Sequence, residues 1–178
     1  GSEMCIRDRY YTRGIFPWGN ECYLRSDMYH QYAPFFSELW HKIRNGESLT
    51  YSWNIGMGTN FTSLFAYYLA SPSNWFVALF PQKYTIEIMN AFIILKIAGS
   101  SLSLTYYLTK HNNNKHVIAA IFGMFYGMSG FIAAYSWNIM WLDCVILIPL
   151  IMLGLERLVN ENRCIFYCIT LGLSLIHI

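Results

Sequence analysis

Four apolar stretches in the second half of the chain constrain its fold more than any other feature. They run over about 84–108, 117–135 and 139–158, with a fourth that begins near Cys164 and continues to 178. A bilayer core is crossed by about 20 residues of apolar helix, so these lengths predict transmembrane spans. Composition agrees: 55% of residues are hydrophobic, 18% aromatic and only 12% charged, whereas a soluble domain carries about 25% charged residues. The expected fold class is all-α, a polytopic membrane helix bundle. A formal net charge of +2 with no basic run gives no reason to expect a nucleic-acid partner, and the lipid bilayer is the expected surrounding.

Charges in the short turns set an orientation. Lys110 and Lys115 bracket His111-Asn112-Asn113-Asn114, and Arg157 and Arg163 bracket Asn160-Glu161-Asn162, whereas Ser136-Trp137-Asn138 carries no charge. The positive-inside rule makes the two basic turns cytoplasmic. Residues 14–83 and the turn 136–138 then share the outer face of the membrane. Residues 1–13 read as the irregular end of a fragment, without initiator methionine or signal segment, and Ile178 falls within an apolar stretch. A first helix upstream and further helices downstream are expected.

The outer segment carries its own helical pattern. Met28, Tyr32, Phe35, Phe36, Leu39, Trp40 and Ile43 recur at helical intervals, with Gln31, Glu38, His41 and Lys42 between them, which predicts an amphipathic helix. Pro34 predicts a kink or a late start, Glu38 and Lys42 have the favourable i,i+4 order, and Asn45-Gly46 is a stop signal. The segments Phe61 to Ala70 and Asn74 to Phe80, separated by Ser71-Pro72, are too short to span and predict interfacial or re-entrant helices. Between them and the first helix, Tyr51 to Asn60 carries Gly56 and Gly58 among aromatics. It reads equally as a binding loop and as a connector at the headgroup level.

Several polar residues are candidates for chemistry. Asp27 has two readings: a helix cap, shared with Ser26, or a general base or ligand for a hard divalent cation, the one cofactor considered. Arg25 and His30 are placed to bind an anionic phosphate, and Gln31 and Tyr32 complete the polar and aromatic surroundings of Asp27. Asp143 lies a few residues inside its apolar stretch, where an acid needs a cavity or a partner, and Asn138 opens on the same face. Lys96, in the middle of the first stretch, predicts contact with a lipid phosphate or pairing with an acid. Ala119, Gly123 and Gly127 form a small-residue stripe suited to close helix packing. Cys5, Cys22, Cys144, Cys164 and Cys168 lack metal spacing and predict no disulfide framework, and His41, His111 and His116 define no zinc site.

Taken in order, Ser26-Asp27-Met28-Tyr29-His30-Gln31-Tyr32-Ala33-Pro34-Phe35, Gly56-Met57-Gly58-Thr59-Asn60-Phe61, Tyr67-Tyr68-Leu69-Ala70-Ser71-Pro72, Tyr126-Gly127-Met128-Ser129-Gly130-Phe131 and Trp141-Leu142-Asp143 resemble the YfhO family of bacterial membrane proteins. The resemblance covers roughly 14–171 and implies a truncated GT-C-like fold. It implies a glycosyltransferase that moves a sugar from a polyprenyl-phosphate carrier to a cell-envelope polymer, with teichoic acid as the specific acceptor expected. It assigns catalysis to Asp27, because such enzymes carry a catalytic acid on the first outer loop. The rival reading is a transporter or lipid flippase with Lys96 and Asp143 marking its path. Asp27 and Asp143 facing one outer cavity would favour the transferase, and a continuous polar path through Asp143 and Lys96 to both faces would favour transport.

Overall fold

The structure, a computed structural model, describes residues 11–14, 19, 27–111 and 116–175. Most of the expected irregular end 1–13, Cys22, Arg25, Ser26 and the turn 112–115 lie outside the described residues. Three helical stretches are long and apolar enough to cross a membrane: Gln82–His111, His116–Tyr135 and Ile139–Glu161. A shorter apolar helix, Ile165–Leu175, follows.

In chain order the α-helices are α1 (Ala33–Asn45), α2 (Phe61–Leu64), α3 (Thr85–His111), α4 (His116–Gly127), α5 (Gly130–Tyr135), α6 (Ile139–Glu161) and α7 (Ile165–Leu175). Among the described residues the chain is all-α apart from two short antiparallel strands, β1 (Tyr51–Ser52) and β2 (Thr59–Asn60). Each long helix suits lipid because it stays apolar away from its neighbours. On α3, Met89, Phe92 and Ile93 are buried while Ile94, Leu95 and Leu102 are exposed.

Contacts along the helices fix their directions. Lys96 meets Asp143 and Tyr107 meets Glu156, so α3 and α6 run the same way. Thr105 lies by Ala119, whereas Gly127 lies by Ser101 and Ile97, so α4 runs opposite to α3. Cys144 lies by Ser174, and α7 returns along α6. The stripe Ala119, Gly123 and Gly127 is buried against α3, as its spacing predicts. A Cβ on Gly123 would lie 2.5 Å from the Ser101 carbonyl oxygen, which explains the glycine.

Two departures from regular helix have local causes. The second apolar stretch breaks between α4 and α5, where Ser129 turns extended and its Oγ receives the Ile132 N–H at 3.5 Å. Within α6, Pro149 has no N–H for the carbonyl of Val145 four residues earlier. Tyr126 on α4 supplies the missing donor, its hydroxyl 2.8 Å from the Val145 oxygen.

The segment before α3 packs onto one end of this bundle. A wide π-helical turn, Met28–Tyr32, leads into α1, because Pro34 cannot donate to the turn before it and the Ala33 N–H reaches Met28 instead. Gly46 ends α1 in a left-handed conformation at φ 65°. Met28, Phe36, Leu39, Phe61, Leu69 and Val77 form one core with Met89, Ile93, Ile139 and Leu142 of the spans. The two short apolar segments become α2 with a following π-helical turn, Phe65–Leu69, and a 3-10 helix, Pro72–Leu79.

One expectation for α1 is corrected. Glu38 and Lys42 were placed with the polar residues of an amphipathic helix, yet they are 7% and 3% exposed. The hairpin of β1 and β2 folds over them: Ser52 and Asn54 hydrogen-bond Glu38 at 2.6 and 3.0 Å, and Lys42 donates to the carbonyls of Ser48 and Tyr51 at 3.0 and 2.9 Å.

Candidate functional site

Where the 27–84 segment meets the bundle, two polar clusters form on either side of the start of α6. In the first, Tyr32 donates its hydroxyl to Oδ1 of Asn138, and both residues are buried. Tyr68 stands edge-on to Tyr32 with ring centroids 5.4 Å apart and donates to Oε1 of Gln31 at 2.8 Å. Burial pushes the Tyr32 phenol far above its ordinary value of 10.0, and the neighbouring Tyr68 adds to this. Burial also raises Tyr68.

Asp27 stands at the entry to the Met28–Tyr32 turn, partly buried, and its charge reaches both tyrosines. It occupies the cap position, but its side chain caps nothing. The capping reading of Asp27 therefore does not hold, because its backbone is already helical at φ −64° and ψ −21° and the carboxylate does not receive the first amides. Among the described residues it accepts no hydrogen bond.

The second cluster is ionic. Lys96 Nζ donates to Oδ2 of Asp143 at 2.7 Å, to the Ile139 carbonyl at 3.2 Å and to Ser71 Oγ at 3.5 Å. These contacts use the three donors of an ammonium. Of the two partners expected for Lys96, the structure supplies the acid, and the ammonium has no donor left for a phosphate. Asp143 is likewise paired, its Oδ2 held by Lys96. Asn138, the residue that precedes α6, and Asp143, in its first turns, thus tie together the loop segment, α3 and α6.

The sequence family described as bacterial membrane protein YfhO matches residues 4–177. The chain belongs to the YfhO family. Comparison with curated proteins and with solved structures found no match.

Within this YfhO chain the expected site residues divide. Gln31, Tyr32 and Asn138 are joined through contacts with one another or with Tyr68, the Asp27 charge acts on the two tyrosines, and Lys96 and Asp143 form the neighbouring pair. His30 is exposed and touches the Tyr29 ring, at a centroid distance of 5.1 Å. Arg25 lies outside the described residues. Among the described residues no three His, Cys, Asp or Glu side chains converge to hold a metal ion, and no step below is routed through a cation. Sequence reasoning missed Ser71 and Tyr68, which come to the site from distant segments. It also missed Glu87 and Asn90, whose polarity in the first two turns of an otherwise apolar helix was a readable signal.

Proposed function

We propose that this YfhO protein is a GT-C-type glycosyltransferase that moves a sugar from a polyprenyl-phosphate carrier to a cell-envelope polymer, teichoic acid being the acceptor class favoured. The observation that carries the reading is the Asp27 carboxylate, held at the junction of loop and bundle and left unused by its own helix. A base must have its lone pairs free to reach a substrate proton. In the proposed step Asp27 takes the proton of the acceptor hydroxyl as that oxygen bonds to the anomeric carbon. The bond from that carbon to the carrier phosphate breaks, and the lipid phosphate leaves with the electron pair, inverting the centre. Arg25 is the cation proposed to offset charge on the departing phosphate.

The reading places residues 14–83 outside the cytoplasmic membrane. Support comes from the ends of the helices: the 27–84 segment docks by Asn138, while His111 and Arg163 lie with the opposite end.

One observation favours transport instead. Lys96, Ser100, Ser103 and Tyr107 recur along one face of α3, and Tyr107 reaches Glu156 at 2.7 Å. Ser100 and Ser103, however, donate to carbonyls of their own helix at 2.7 and 2.9 Å, and Lys96 is closed on Asp143. Membranes containing the protein, given labelled polyprenyl-phosphate sugars, separate the two. Label entering an envelope polymer supports the transferase, and label crossing sealed vesicles without entering polymer supports transport.

A further inference from the structure

A groove of about 960 Å³ beside the first turns of α3 is lined by two residues with side-chain polar atoms that have no partner among the described residues. Its walls include Ile88, Phe92 and Leu95 of α3 and Phe76 and Phe80 of the preceding segment. Asn90 faces it and is only 4% exposed, yet neither its Nδ2 nor its Oδ1 has a hydrogen-bond partner among the described residues. Oε2 of Glu87, three residues earlier on the same helix face, is also buried and unpaired. Buried polar groups are normally satisfied, so these atoms call for a ligand that both donates and accepts.

The surroundings choose its chemistry. A carboxylate at the groove repels phosphate, and the lysine lining it, Lys96, is already neutralised by Asp143. Water would satisfy Asn90 but would sit badly against the apolar walls. Sugar hydroxyls donate to Glu87 and both donate to and accept from Asn90, while Phe76, Phe80 and Tyr84 offer ring faces to the apolar side of a pyranose. The apolar walls below suit a hydrocarbon chain.

We infer that this groove binds the neutral hexose head of a glycolipid, with Glu87 and Asn90 hydrogen-bonding its hydroxyls and the chain lying along Ile88, Phe92 and Leu95. Neither Asp27 nor Asp143 lines the groove, so it is a holding site apart from the proposed transfer site. The lipid held here has no phosphate between sugar and chain, so it is distinct from the proposed polyprenyl-phosphate donor, and its recognition does not rest on the transferase reading.

The test uses the protein in phosphatidylcholine nanodiscs and an alkyl glucoside carrying a photoreactive diazirine in its chain. Two control probes have the same chain with a phosphate or a plain hydroxyl head. The glucoside should label the peptide spanning 84–96 about fivefold to tenfold more than either control, the worth of one or two net hydrogen bonds. Asn90→Leu should remove that preference and at the same time raise the melting temperature, because it replaces an unmet amide by a side chain that suits the walls. A merely structural Asn90 would lower it. Equal labelling by all three probes, a preference for the phosphate head, or an unchanged preference in Asn90→Leu overturns the inference. Asp27→Asn should leave the labelling intact, so loss of sugar transfer in that variant, or absence of transfer in the parent protein, bears on the transferase reading alone.

Discussion

Lys96 of α3 and Asp143 of α6 meet at 2.7 Å, with the lysine 5% and the aspartate 14% exposed, so the two parallel helices share one buried ion pair. Removing either partner leaves a charge without a counter-ion in a low-dielectric setting. Asp143→Ala should cost about 3–5 kcal/mol of stability, while Lys96→Met combined with Asp143→Leu should recover most of that loss. Thermal unfolding of the four proteins in one detergent checks the cycle, and an additive double variant would contradict the pairing.

Tyr126 repairs the gap that Pro149 leaves in α6. Tyr126→Phe keeps the ring and deletes the hydroxyl that reaches the Val145 carbonyl at 2.8 Å. The orphaned carbonyl should cost about 1–3 kcal/mol. In the background of Pro149→Ala, which restores the helix's own donor, the same substitution should cost clearly less, as unfolding measurements on both backgrounds would report.

These two contacts show what a single sequence reveals and what it withholds. The three spans, the small-residue stripe and the stop at Gly46 were legible because each depends on local spacing and on the conformational freedom of glycine. Lys96 and Asp143 were legible as charges needing partners, since a bilayer makes such residues expensive, but their pairing depends on helix register. Glu38 and Lys42 were misplaced on a solvent face because period alone cannot foresee a hairpin folding over it. Glu87 and Asn90 could have been singled out by the same argument that singled out Lys96.

Acid should loosen the β1–β2 hairpin. Burial tends to raise the Glu38 carboxyl, but hydrogen bonds from Ser52 and Asn54 and the Lys42 charge outweigh it and hold it below its ordinary value of 4.5. The folded chain thus binds this proton less readily than the unfolded one. Its stabilisation is complete above about pH 4.5 and fades as the pH falls through the lowered value. Proteolysis within residues 48–58 should accelerate over that acid range, and Glu38→Gln should flatten the dependence.

Close packing of α3 and α4 makes the two glycines unequal. A Cβ on Gly123 meets the Ser101 backbone oxygen at 2.5 Å, whereas one on Gly127 meets chiefly the Ser101 hydroxyl, with the Ile97 oxygen no nearer than 3.1 Å. Gly123→Ala should therefore lose more stability than Gly127→Ala, each within about 1–3 kcal/mol. Ser101→Ala should relieve Gly127→Ala and leave Gly123→Ala impaired, and melting temperatures of the single and double variants decide it.

The central claim is that Asp27 serves a substrate rather than its own helix, and sugar transfer by Asp27→Asn tests it most directly. Because the carboxylate caps nothing, the variant should insert and melt as the parent does while transfer from a labelled polyprenyl-phosphate sugar falls about 100-fold or more, the scale of a lost general base. Transfer at the parental rate in membranes carrying equal amounts of folded variant would contradict the account.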